Sequence, residues 1–170
     1  VVDIREPDVL KTPFPKEEPI CRVGVVLEED NKKSMVMVLP PGDFELSGDD
    51  QKKVLQETAS SSLTMEIHGD MIHCKNDKEE EILRCRGFIK ISPTKQSKIA
   101  PKSGILLKGV VAGRGFHWQK EVDLHFPYSL EFHHRDSKLV VVNVVPMEAY
   151  LTCVVTSEMS ATCPPEFIKA

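Results

Sequence analysis

Apolar and polar residues alternate with a period of two through most of the chain as far as residue 145, the pattern of strands that bury one face. Cys21, Val23, Val25 and Leu27 share one side of a first strand, and Met35 to Leu39 make a second, mostly apolar one. The polar run Glu28 to Lys33 between them predicts a hairpin. Pro40-Pro41-Gly42-Asp43 breaks the pattern, after which Phe44 and Leu46 mark a short third strand. The following residues, 47–62, are polar, and Gln51 to Gln56 fits a turn of helix or part of a loop equally well. Leu63, Met65 and Ile67 then alternate with Thr64, Glu66 and His68, and Gly69-Asp70 turns the chain back through Met71 to Cys74. A charged turn, Lys75 to Glu81, leads to Ile82 to Cys85, and Phe88 to Ile91 is closed by Ser92-Pro93. Lys95, Lys98 and Lys102 lie in a solvated loop. Ile105 to Leu107 and Val110-Val111 read as strands separated by Lys108-Gly109. Tyr128, Leu130 and Phe132 alternate again, His133 to Ser137 reads as a turn, and Leu139 to Val145 is a buried strand.

The period changes at Pro146, which suits the first turn of a helix. At about 100° per residue, Met147, Leu151, Val154 and Val155 form one stripe, and Glu158 projects within roughly 20° of Leu151. An ionised carboxylate in an apolar wall is costly, so Glu158 is expected to pair with a cation, hold a proton or face a cleft, unless the helix frays and leaves it in solvent. Glu148, in the first helical turn, is accounted for by the helix dipole. Four prolines, Pro7, Pro13, Pro15 and Pro19, make residues 1–20 an extended arm. The organisation expected is α+β: that arm, a β-rich portion with hairpins over 21–145, and the start of a helical segment over 146–170.

Charge and composition narrow the function classes. A net charge of −4 over 170 residues gives no electrostatic case for nucleic acid, and no apolar run approaches the roughly 20 residues that span a bilayer. Cys21, Cys74, Cys85, Cys153 and Cys163 contain no CxxC pair, and the six histidines are scattered, so neither a zinc ribbon nor any other metal site is expected. Cys74 and Cys85 flank a charged turn and are placed either to face one another across a hairpin or to serve as small apolar residues. No GxSxG elbow, phosphate-binding loop or dinucleotide fingerprint is present, and no cofactor is expected. Gly113-Arg114-Gly115-Phe116-His117-Trp118 sets a cation among ring side chains. Arg114 and Trp118 are candidates for holding a sugar and its carboxylate, the other reading being core rings beside a glycine bend.

The run Leu139 to Leu151, with Asn143, Pro146, Glu148 and Tyr150, followed by Val154-Val155-Thr156-Ser157-Glu158-Met159 and Cys163-Pro164-Pro165-Glu166-Phe167-Ile168-Lys169-Ala170, resembles the core of the SpoIID/LytB family of peptidoglycan lytic transglycosylases and amidase enhancers. The resemblance implies that Glu158 is the catalytic residue, that Lys169 lies near it, and that Tyr150 and Ser157 contact sugar or orient Glu158. Ser160 and Cys163 depart from the family's usual proline and tryptophan. The family's helix continues past the Lys-Ala pair toward further site residues, so the segment here is expected to be a C-terminally truncated part of that domain. The implied reaction cleaves the bond between N-acetylmuramic acid and N-acetylglucosamine, leaving anhydro-muramic ends. One glutamate acts first as acid, then as base. The alternative is a non-catalytic cell-wall-binding or amidase-enhancer protein. Either implies an extracytoplasmic location, peptidoglycan strands and other wall hydrolases as partners, and in that compartment a Cys153–Cys163 disulfide becomes plausible.

Overall fold

The computed structural model describes residues 16–95 and 103–158, with side chains described as far as Val154. The described residues fall into two units, Arg22–Val145 and, separately, the chain ends up to Cys21 and from Pro146.

The larger unit is built almost entirely of strands whose alternate side chains meet in one core. Its strands are β1 (Ile20–Val26), β2 (Ser34–Leu39), β3 (Gly42–Gly48), β4 (Gln51–Glu57), β5 (Ser61–His68), β6 (Met71–Asn76), β7 (Glu81–Cys85), β8 (Phe88–Pro93), β9 (Ile105–Ala112), β10 (Lys120–Phe126), β11 (Ser129–Arg135) and β12 (Lys138–Pro146). They form two six-stranded sheets, ordered β1-β12-β11-β8-β3-β4 and β10-β9-β2-β5-β6-β7. Met37, Leu39, Leu63, Met65 and Leu107 from one sheet join Leu46, Ile89, Ile91, Leu130 and Phe132 from the other in a continuous buried cluster. Fully burying each such side chain contributes about 1.5–3 kcal/mol, which is why the alternation in the sequence fixes the faces so well.

Among the described residues Glu131 is the one charged residue buried as a whole, backbone included. It points away from Leu130 and Phe132 and is held by Arg22 at 2.6 Å and His133 at 3.1 Å.

Several sequence expectations are corrected. The first two strands do not make a hairpin: β1 lies beside β12, whereas β2 sits between β9 and β5 in the other sheet. A 3-10 turn, Glu28–Asp30, followed by Asn31 at φ 53°, carries the chain across between them. Gln51 to Gln56 is neither helix nor loop. It belongs to β4, an edge strand paired only with β3, where Lys52, Lys53 and Val54 are all exposed and no alternation is imposed. β10 is likewise an edge strand with a mostly exposed face, so its residues Lys120, Glu121 and Asp123 give no strand signal. Ile105 to Val111 is one strand, and Gly109 at φ 70° lies where the β9–β10 register slips between Val122 and Leu124. The turn expected at 133–137 shrinks to Asp136-Ser137, both with positive φ, a two-residue hairpin whose backbone matches the strand twist.

In the smaller unit, helix α1 (Met147–Glu158) begins directly after Pro146. Its opening N–H groups are satisfied by the arm: the Met147 amide donates to the Pro19 carbonyl at 2.9 Å, and the Glu148 amide to the Glu18 carboxylate at 2.8 Å. Groups at a helix start have no partner inside the helix, so these contacts define where α1 begins. Its side chains depart from the expected stripe. Ala149 is buried, while Leu151 is 44 % exposed.

Candidate functional site

The expected site residues fall in two places. Tyr150, Ser157 and Glu158 lie on α1, and Arg114 and Trp118 lie in the loop joining β9 to β10. Tyr150 is half-buried one turn into the helix. Ser157 and Glu158 occupy its last turn, with side chains outside the described residues. Lys169 and Cys163 lie wholly outside them, and with Cys163 so does the proposed Cys153 pairing.

The β9–β10 loop is tightly tied. The Phe116 amide donates to the Gly113 carbonyl and the Gln119 amide to the Phe116 carbonyl, each at 3.0 Å. The Gly115 amide donates to Gln119 Oε1 at 3.0 Å. Gly113 has φ 67°, and a Cβ there would lie 2.2 Å from the Trp118 indole, so a side chain is excluded on both counts.

Arg114 anchors the loop to the 3-10 turn. Its Nε and Nη2 donate to the two Asp30 oxygens at 2.7 and 2.6 Å, and Nη2 also donates to the Val25 carbonyl at 2.8 Å. The Asp30 side chain is 2 % exposed. Burial pushes its carboxyl up, but the Arg114 guanidinium, the Leu27 amide and Lys32 together hold it below the ordinary carboxylate value. Arg114 is therefore already paired with a carboxylate of its own chain. No pattern in the sequence links positions 30 and 114, since Asp30 reads as one acid in a solvated turn.

Beside this pair lies a cleft of about 600 Å³ whose walls include Glu29, Asp30, Arg114, Gln119, Lys120 and Glu121. The Lys32 ammonium pairs with Glu121 at its edge. Trp118 is not core. It is 52 % exposed and stacks on Phe116, itself 63 % exposed, with ring centroids 5.5 Å apart and planes 19° from parallel.

Burial pushes the Glu131 carboxyl up, yet hydrogen bonds from Arg22 and His133 outweigh it and keep the group ionised, unsuited to donating a proton at neutral pH. Among the described residues no group of three or more His, Cys, Asp or Glu side chains is arranged to hold a metal.

Residues 135–170 match the SpoIID family, described as Stage II sporulation protein. The C-terminal segment resembles the SpoIID family. No curated protein and no solved structure matches the chain. The SpoIID match is a short part of the chain, and it begins at Arg135, the last residue of β11, then runs through β12 and α1. It contains Tyr150, Ser157, Glu158 and Lys169, and it leaves out Arg114 and Trp118.

Proposed function

We propose that this chain contributes to a peptidoglycan lytic transglycosylase in which Glu158 carries the proton transfers. The SpoIID match supports a cell-wall-related role. The observation that carries the transglycosylase reading is the Ser157-Glu158-Met159 triplet inside that match, on backbone that is helical as far as Glu158. In this reading Glu158 protonates the departing glycosidic oxygen between N-acetylmuramic acid and N-acetylglucosamine. The muramic acid C6 hydroxyl then attacks the anomeric carbon, and Glu158 takes up the hydroxyl proton as the anhydro ring closes. No water is consumed and no second carboxylate is required. In this reading a bound glycan, by covering the site, supplies the desolvation that favours a protonated Glu158. Tyr150, Ser157 and Lys169 contact the sugar or orient the glutamate. The location is extracytoplasmic, and no helix among the described residues is long and apolar enough to cross a membrane.

The test is mass spectrometry of glycan ends after incubation with purified sacculi. Anhydro-muramic ends are expected with the parent chain and absent with Glu158→Gln, whose circular dichroism and melting should be unchanged. Parent and variant that produce no such ends while both bind sacculi would favour the second reading, a wall-binding or amidase-enhancing protein. The exposed rings of the β9–β10 loop favour that reading.

A further inference from the structure

We propose that the β9–β10 loop is a saccharide-binding platform that works without Glu158, with Phe116 and Trp118 as the stacking surface and Arg114 as its buttress. Identifying the saccharide as an N-acetylated amino-sugar strand rests on the cell-wall reading; the existence of the platform does not.

The first observation is exposure. Phe116 and Trp118 are 63 % and 52 % exposed and sit together in one loop, whereas Val54, Phe88 and Leu124, also exposed, lie on three different strands. Leaving two rings in water forgoes stabilisation that burial would supply, so their placement asks for a ligand. The second is pre-organisation. The loop is closed by its own backbone hydrogen bonds, Gly113 admits no side chain beneath the indole, and Arg114 is lashed to the buried Asp30 carboxylate. A surface held this way loses little freedom on binding. The third is shape and charge. Phe116 and Trp118 stack on one another, so the pair has only its outward side to offer a ligand, and a flat apolar ring face suits the C–H face of a pyranose. The adjoining cleft carries both signs of charge, Glu29 and Glu121 against Lys120 and Arg114, along with the Gln119 amide. Such a mixture suits hydroxyl and acetamido groups, and it disfavours a polyanion or an anionic membrane surface.

The sequence role given to Arg114, holding a lactyl or peptide carboxylate, passes in this proposal to Lys120, because Asp30 already occupies the guanidinium.

Trp118 is the only tryptophan in the chain, so indole emission reads this site alone. Titrating the full chain with N-acetylglucosamine hexamer should give a saturable change in emission. Glu158→Gln should bind with the same affinity as the parent. Phe116→Ala should weaken binding about tenfold, the loss expected for one stacked ring. Trp118→Ala, which loses the fluorophore, is read by co-sedimentation with purified sacculi, and should stay in the supernatant while melting within a few degrees of the parent. The proposal is overturned if the hexamer produces no saturable change and both ring variants sediment like the parent. It is equally overturned if emission responds to phosphatidylglycerol vesicles and not to the sugar. Normal sedimentation of the ring variants, with loss of anhydro ends in Glu158→Gln, removes the platform and leaves the catalytic reading standing. Loss of sedimentation in the ring variants, with Glu158→Gln still cleaving, does the reverse.

Discussion

Replacing Arg114 with glutamine removes both donors to Asp30 Oδ1 and Oδ2 and leaves a carboxylate that is 2 % exposed with only the Leu27 amide and the field of Lys32. Breaking a buried ion pair from one side costs about 3–5 kcal/mol, because the remaining charge is uncompensated. Arg114 is 26 % exposed, so the low end applies, about 3 kcal/mol. For a chain of this size each kcal/mol moves the melting temperature about 2–4 °C, giving a fall of about 6–12 °C.

The pH dependence supplies a sign that simple loss of packing lacks. In the parent the Asp30 carboxyl sits below its usual value of 3.8, so its stabilisation is complete above that pH and is lost as pH falls through the lowered value. In Arg114→Gln the largest influence left is burial, which raises the carboxyl, so protonation now relieves the fold. The stability gap between parent and variant should therefore narrow steadily from pH 7 toward pH 3.5, measured by urea unfolding at each pH. Asp30→Asn added to Arg114→Gln should recover about 1 kcal/mol by removing the stranded charge. A variant that melts within about 1 °C of the parent at pH 7, or a gap independent of pH, would refute this account of the pair.

Phe132→Ala removes a fully buried ring from the shared core and should cost about 3–5 kcal/mol in urea unfolding; a loss below about 1 kcal/mol would mean the two sheets do not share that core. Gly48→Ala should destabilise by about 1–3 kcal/mol, since its Cβ would meet the Phe88 carbonyl oxygen at 2.3 Å and the Cys85 sulfur at 2.6 Å, whereas Gly69→Ala meets no atom and pays only for its φ of 60°. Burial pushes the Cys74 and Cys85 thiols up to about 12 and about 11, so iodoacetamide at pH 8 should label neither in the native protein and both in guanidinium, as read by peptide mass spectrometry.

Strands with one dry face were legible because water enforces their alternation. Leu63, Met65 and Ile67, or Leu130 and Phe132, carry their own register in the sequence. The edge strands β4 and β10 were not, since a strand wet on both sides places no such demand on residues like Lys52 or Asp123. Pairing of β1 with β12 was hidden for another reason. A polar run of six residues closes a hairpin or crosses between sheets equally well, and what decided it was the left-handed Asn31 and the fit of the whole sandwich. Of the candidate site, the helix and the triplet at Glu158 came from pattern and resemblance. The Cys74–Cys85 juxtaposition was nearly right: each is buried in the β6–β7 hairpin, but Cys74 faces Leu83 and Cys85 faces Ile72, leaving two thiols on a diagonal. The Asp30 partner of Arg114 belongs to contacts across 84 positions, which no local pattern records.

The stretch matched to the SpoIID family is not a detachable cassette. Its first strand, β12, is an inner member of its sheet, flanked by β1 and β11, and donates Leu139 and Val141 to the common interior. Excising positions 135–170 for expression alone would strip the sheet of an inner ribbon and leave those two aliphatic groups in water. A chimaera that transplants this stretch into another host needs a recipient with a matching gap between two strands, and a cut after Val145 is the gentler alternative.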